Sequence, residues 1–295
     1  MTEISFIGFG ELGASLAEGL ARSGRHRLRA YIRGWPRVSE SYERRLTASA
    51  TTACGSLTET VADAGVILAA VPATVSLQLA REAAPHVKRG TLYADLATAS
   101  GADKLAAAEA LGPHGVVYAD AAVLGTVAVD GFRVPILVSG PGATAIRSLL
   151  EPDGFKVTEM AGPVGQAALV KLLRSAYLKG RDALIVQTLL AARRYGLKEI
   201  VAESLERPGD RLPFDAIATR VLCSVAIHAG RRGHELEQAG EVLREVGIDP
   251  ALARAGSRAL ERIAGLGLSD VLGEGRPADP DAVLAAIDEL AKDHG

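Results

Sequence analysis

Residues 3–24 read "EISFIGFGELGASLAEGLARSG", and the interpretation of this stretch decides the fold. "EISFIG" is short and rich in apolar residues, as a strand is, and "ELGASLAEGLARSG" carries its apolar residues at helical spacing. Across the join, Gly8, Gly10 and Gly13 form G-x-G-x-x-G. In a chain with 32 glycines that pattern is weak by itself. A strand before it, a helix after it and a second β-rich run, "HRLRAYI" (26–32), supply the context a dinucleotide needs. Gly8 permits the tight turn, Gly10 lets backbone approach a pyrophosphate, and Gly13 lets the helix pack closely on the sheet. Backbone N–H groups at the helix start then face the phosphates. Gly8, Phe9, Gly10, Glu11, Leu12 and Gly13 are therefore the expected cofactor loop.

The same rhythm continues to about residue 160. Strand-like runs follow at 66–71, 91–96, 115–120, 134–140 and 155–160, with helical stretches at 11–23, 56–64, 74–84 and 101–111. Near-continuous apolar strands separated by helices imply a parallel sheet covered on both faces. Beyond "AGPVG" (161–165) the pattern is helical only, broken by turn signals in "ERPGDRLP" (206–213), "GIDP" (247–250) and "GEGRPADP" (273–280). The expected class is α/β: an N-terminal Rossmann-type parallel sheet, residues 1–162, followed by an all-helical C-terminal domain, residues 163–295.

Length and composition bound the function. A chain of 295 residues accommodates two domains, and 48% hydrophobic with 23% charged residues is ordinary globular composition. A net charge of −2 gives no general attraction to nucleic acid or an anionic membrane, and neither is expected as a partner. Cys54 and Cys223 have no metal-ligand spacing, so two inert thiols in a reducing compartment are expected, and no metal. "MTEISFIGFG" starts a strand at once, without the charged region and cleavage site of a leader, and no apolar run is long enough to span a bilayer. A cytoplasmic location is expected.

The second strand bears on the choice of cofactor. NAD-binding folds place an Asp or Glu at its end to hold the ribose 2′-hydroxyl. "RHRLRAYIRGWPR" (25–37) has no acid. Arg33 stands just past the strand, where a 2′-phosphate would lie, and a permanently charged guanidinium suits a phosphate. NADP is expected over NAD, with Arg27 and Arg29 as the outer face of the strand.

These residues resemble the β-hydroxyacid dehydrogenase superfamily, which includes 6-phosphogluconate dehydrogenase and 3-hydroxyisobutyrate dehydrogenase. "GFGELGASLAEGL" with "KLLRSAYLKG" is similar to an uncharacterised branch with its own helical C-terminal domain. The resemblance implies further site residues. Val71 and Pro72 would border the cofactor. In "DLATAS", Asp95 and Thr98 match a substrate loop, with Ala97 in place of a serine. In "DAAVLGT" (120–126), Asp120, Ala121, Val123 and Gly125 match a second loop, whereas Ala122, Leu124 and Thr126 depart. Gly162, Gly165 and Lys171 fit the spacing that precedes the family's catalytic lysine, with Ala167 in a third glycine position and Ser175 in place of an asparagine.

Lys171 lies in "GQAALVKLLRS" (165–175), with small residues four positions away on either side, Ala167 and Ser175. A helix that cofactor and substrate pack against needs such a lane. The resemblance makes Lys171 the general acid/base and Ser175 its catalytic neighbour; a snorkelling surface lysine is the plainer alternative.

The departures bear on substrate. Leu124 removes a hydroxyl from the loop that holds a carboxylate in the family and adds apolar bulk, and Leu124, Gly125 and Thr126 are the expected substrate contacts of that loop. Ser100, Thr126 and Arg174 are candidates to replace the lost polar contact, and Thr98 is expected to touch both cofactor and substrate. The cluster His228, Arg231, Arg232, His234 and Glu235 reads as a solvated helix face, with a pocket wall as the alternative. The expected function is NADP-dependent hydride transfer to or from a small hydroxy or oxo compound with an acidic group. Imine reduction on the same fold and a non-catalytic NADP-binding sensor are the alternatives. Apolar helix faces beyond residue 180 lead to the expectation of a homodimer through the helical domain.

Overall fold

The structure is a computed structural model; it describes residues 1–194, 196–205, 213–245, 249–273, 275 and 277–292. The chain divides into two compact units, residues 1–171 and 172–295.

In the first unit, eight strands form one sheet: β1 (Thr2–Ile7), β2 (His26–Tyr31), β3 (Thr52–Cys54), β4 (Val66–Ala69), β5 (Leu92–Asp95), β6 (Val117–Val123), β7 (Ile136–Ser139) and β8 (Val157–Glu159). The order is β3-β2-β1-β4-β5-β6-β7-β8. Between them lie α1 (Glu11–Ala21), α2 (Glu40–Ala48), α3 (Leu57–Val61), α4 (Ala73–Ala83), α5 (Gly101–Leu111), the short α6 (Val127–Asp130) and α7 (Ala143–Leu150). Alternate strand residues serve opposite faces. Phe6, Leu68, Ala94 and Ala119 join Leu16 and Leu20 of α1 and Ile146 of α7 in one core. Ile7, Ile67, Tyr93 and Tyr118 join Val61, Leu79, Ala107 and Leu111 in the other.

Three features differ from the sequence reading. β3 is an additional edge strand, too short and too polar to carry a pattern. β7 runs antiparallel to β6, so the sheet is mostly rather than wholly parallel. β6 extends through Val123, because pairs from Asp120↔Ser139 to Val123↔Ile136 prolong its ladder. Asp120 to Val123 are thus buried strand residues, and the loop expected to start at Asp120 starts at Leu124.

β1, β2, β4 and β5 end level, and β6 crosses the same line at Asp120 before running on to Val123. Register pairs run Tyr31↔Ile7, Ile7↔Ala69, Ala69↔Asp95 and Asp95↔Asp120 across five strands, and Asp120↔Ser139 continues the line into β7. The loops after β1, β4 and β5 therefore leave the sheet at one height. After β1 the chain builds outward through β2 and β3, then crosses to β4 on the other side, which makes the β1/β4 boundary the topological switch point where open α/β sheets bind ligands.

From residue 166 onward every described element is helical: α8 (Gln166–Arg194), α9 (Lys198–Leu205), α10 (Phe214–Glu245), α11 (Ala251–Ala264), α12 (Leu268–Leu272) and α13 (Pro280–Lys292). α8 begins in the first unit and continues into the second. α10 kinks at His228, whose φ of −117° and ψ of 15° are not helical. Val221, Leu222, Leu236, Leu260, Leu284 and Ile287 are central to the second unit's core. Arg232 departs from the solvated face expected for it: it pairs with Asp182 at 2.8 Å and donates to Ser224 at 3.0 Å. Of the expected turns, 206–212, 247–248, 274 and 276 lie outside the described residues. Both cysteines are buried. No helix among the described residues is long and apolar enough to cross a membrane.

Candidate active site

The glycine loop has a distinct demand at each position. Gly8 has φ +91°, and a β-carbon there would stand 2.6 Å from both the Ala70 carbonyl oxygen and Val71 Cγ1. A β-carbon on Gly13 would stand 2.6 Å from the Gly8 carbonyl oxygen. On Gly10 it would meet nothing within 4 Å. Two glycines are thus required by the protein's own packing, and the third faces open space at the start of α1. A pyrophosphate fits there: free N–H groups of a helix start, no side chain to obstruct approach, and the positive end of the helix dipole. Phe9 is 2% exposed and packs edge-on against Phe6, so it can serve a ligand through its backbone only. Glu11 is exposed in the first turn of α1, and Leu12 is half-buried. Val71 is half-buried beside Gly8, and Pro72 precedes α4.

Arg33 is exposed in the turn after β2, followed by Gly34 at φ +88°. Arg29, by contrast, pairs with Glu3 at 3.2 Å, as an outward strand residue would. Trp35 packs partly against the core beside this turn.

The sequence reading missed a buried polar cluster beneath the level strand ends. Lys104 of α5 is fully buried; its Nζ donates to the Asp95 carbonyl oxygen at 2.6 Å and lies 3.1 Å from Asp95 Oδ1 and 3.4 Å from Asp120 Oδ1. Asp95 also accepts from Ser76 at 3.1 Å, from the Tyr118 hydroxyl at 2.8 Å and from the Ala97 amide at 2.9 Å. Burial first, and then the charge of Asp95, push the Tyr118 and Tyr93 phenols far up, so both stay neutral. Asp120 Oδ2 accepts from the Ala168 amide of α8 at 2.9 Å, and Ser139 Oγ accepts from the Ala167 amide at 3.1 Å. A lysine in the same stripe as Ala107 and Leu111, the buried residues of α5, was the available signal.

The turn into α8 is set by Gly162 (φ +149°) and Gly165 (φ +97°), and a β-carbon on Gly165 would stand 3.0 Å from the Gly101 Cα at the start of α5. Lys171 follows on α8, half-buried, with Ala167 fully buried one turn before it. Ser175 is buried and Arg174 exposed; both belong to the second unit. Thr98 is half-buried in the loop between β5 and α5. The Ser100 hydroxyl is committed to capping α5, accepting from the Asp103 amide at 3.1 Å and donating to its carboxylate at 2.8 Å.

After β6, Leu124 is half-buried, and its amide donates to the Pro135 carbonyl at 2.8 Å. Gly125 is exposed but has no room for a side chain, since a β-carbon would lie 2.5 Å from Asp130 Oδ2. The Thr126 amide donates to that same carboxylate at 3.1 Å. Phe132 fastens the loop to α1, packed against Gly19 and under the Arg22 guanidinium at 4.8 Å.

Residues 3–160 match the NAD binding domain of 6-phosphogluconate dehydrogenase. The chain belongs to that family. Residues 192–263 match a domain of unknown function. Among solved structures, a conserved hypothetical protein from Sinorhizobium meliloti 1021 is 27% identical with a TM-score of 0.70, covering 98% of this chain and 97% of its own. A conserved protein of unknown function, described as structurally similar to 3-hydroxyacid dehydrogenases, is 30% identical with a TM-score of 0.67, over 89% of this chain and 97% of that one. Mycobacterium tuberculosis 3-hydroxyisobutyrate dehydrogenase shares the fold at 20% identity and a TM-score of 0.68, over 97% and 99% of the two chains.

Proposed function

We propose that the protein is an NADP(H)-dependent oxidoreductase that moves hydride to or from a small hydroxy or oxo compound bearing an acidic group, with Lys171 as general acid/base. The observation that carries this reading is the open space at Gly10, flanked by Gly8 and Gly13 that packing requires, at the switch point of the sheet. The cofactor, when bound, supplies or accepts the hydride. The chain's own part is to hold it and to move a proton. The amides at the start of α1 would bind its pyrophosphate, Val71 and Pro72 would border it, and Arg33 would receive the 2′-phosphate in a region that lacks an acid. Lys171 would give a proton to, or take one from, the substrate oxygen as hydride moves. Thr98, Leu124, Gly125, Thr126 and Arg174 are proposed for substrate, and Ser175 as the neighbour of Lys171.

A panel of hydroxy acids, sugar acids, phosphorylated acids and imines, followed by nicotinamide absorbance, tests the reading. Lys171→Ala should abolish turnover while NADP(H) binding persists. Turnover unchanged by this substitution would overturn the role of Lys171. Cofactor binding without turnover of any compound would favour the sensor reading, which the substitution of Leu124 into the substrate loop supports. A homodimer through the helical unit is proposed with it, since Leu197, Ile200 and Leu252 are exposed there.

A further inference from the structure

The buried ammonium of the first unit is Lys104, and nothing in the hydride-transfer scheme uses it. Its surroundings contain two carboxylates, both almost wholly removed from water. Asp95 is well supplied with donors from Ser76, Tyr118 and Ala97. Asp120 is not: its Oδ1 has no hydrogen-bond donor among the described residues, and the charge facing it is Lys104 Nζ at 3.4 Å. Its Oδ2 accepts from the Ala168 amide at 2.9 Å and, more weakly, from the Ser139 hydroxyl at 3.4 Å. Ala168 lies in the first turn of α8, and Lys171 is three residues further along. An ionised carboxylate is a strong acceptor for a helix's first-turn amides and complements the helix dipole. A buried carboxylate left without its cationic partner is strongly destabilising.

We infer that Lys104 is a positioning residue: its ammonium offsets the buried Asp120 carboxylate, and Asp120 fixes the start of α8 and with it the placement of Lys171. The inference rests on the proposed function only for the importance of Lys171. The chain of contacts is Lys104 to Asp120, Asp120 to the Ala168 amide, and Ala168 along the helix to Lys171. Its first link also ties α5 to the end of β5 through the Asp95 carbonyl oxygen, 2.6 Å away. A lysine that merely filled space would not depend on the charge of its partner.

Amide hydrogen exchange of the intact protein, read by mass spectrometry on peptides spanning residues 163–171, tests this without any turnover, so its failure and that of the proposed function are separable. Lys104→Met should raise exchange in that segment by roughly tenfold or more, equivalent to about 1.4 kcal/mol. β1 and β2 should be unaffected. Adding Asp120→Asn should restore protection to within about threefold of the wild type, because the amide oxygen still accepts from Ala168 and the uncompensated charge is gone. Unchanged exchange in Lys104→Met would overturn the inference. So would faster exchange that Asp120→Asn fails to correct, since that marks a purely steric role. Should Lys104→Met not fold, the double variant decides alone: folding with wild-type protection at 163–171 supports the inference, and failure to fold refutes it.

Discussion

Gly13 sits so close to Gly8 that a β-carbon on residue 13 would stand 2.6 Å from the Gly8 carbonyl oxygen, whereas one on Gly10 would touch nothing. The two substitutions should therefore separate stability from binding. Gly13→Ala should destabilise the fold by about 1–3 kcal/mol through overpacking, seen as a lower midpoint in denaturant. Gly10→Ala should leave that midpoint nearly unchanged and weaken dinucleotide affinity at least tenfold, measured by nicotinamide fluorescence. Equal loss of stability in both would mean that the space at Gly10 is not a ligand site.

The turn after β2 predicts cofactor choice. Wild-type protein should favour NADP(H) over NAD(H) by about tenfold or more, on the order of 1.4 kcal/mol. Arg33→Ala should remove most of that preference while affecting NAD(H) affinity little. Competitive titration of the two cofactors measures both, and equal wild-type affinities would refute the assignment.

Much of this was legible in the sequence, and the reasons for the remainder are physical. The glycine spacing and the strand–helix rhythm are local patterns, so β1, α1, β4 and β5 could be read directly. β3 is three residues long, and α2 buries only Leu46, so neither carries a usable pattern. The direction of β7 is not encoded in its apolar run, because a strand buried on both faces reads alike either way. Lys104 stood on the apolar stripe of α5, but its partners Asp95 and Asp120 come from other strands, and only the tertiary fold brings them together.

The loop after β6 predicts specificity. With Leu124 where a hydroxyl would hold a carboxylate, the favoured substrate should carry an apolar part, and turnover of 6-phosphogluconate or the smallest hydroxy acids should be weak. Losing one hydrogen bond to a charged group costs about 1.5–3 kcal/mol. Leu124→Ser should raise kcat/KM on those small acids and lower it on the preferred substrate. Robust wild-type turnover of 6-phosphogluconate would show that another group carries the anion.

The pairing of Asp153 with Arg25 and His26 predicts acid sensitivity. Burial alone would raise the Asp153 carboxyl, but hydrogen bonds from Arg25, His26 and Ser23 outweigh it and hold the group below the usual carboxylate range. A folded-state pKa below the unfolded one gives stability that is present above about pH 4 and lost as pH falls through the folded value. Asp153→Asn should therefore cost on the order of 1 kcal/mol at neutral pH, given its half-exposed Arg25 partner. Thermal melts of the two proteins should converge at about pH 3 or below. A constant gap across that range would place the effect in packing rather than charge.

Light scattering at micromolar concentration checks the assembly: a mass twice that of the chain is expected, and a monomer would contradict it.

The level register from Tyr31 to Ser139 has a consequence for how such a protein can change. Inserting one residue in β1, β4 or β5 would move its loop by about 3.3 Å and turn its side chains to the wrong face. Lengthening or rewriting the loops after β1, β4 and β5 beyond that line disturbs no ladder, whereas past Asp120 the β6–β7 pairing continues to Val123. Divergence, and any attempt to redesign the protein, is thereby channelled into the connections at one rim.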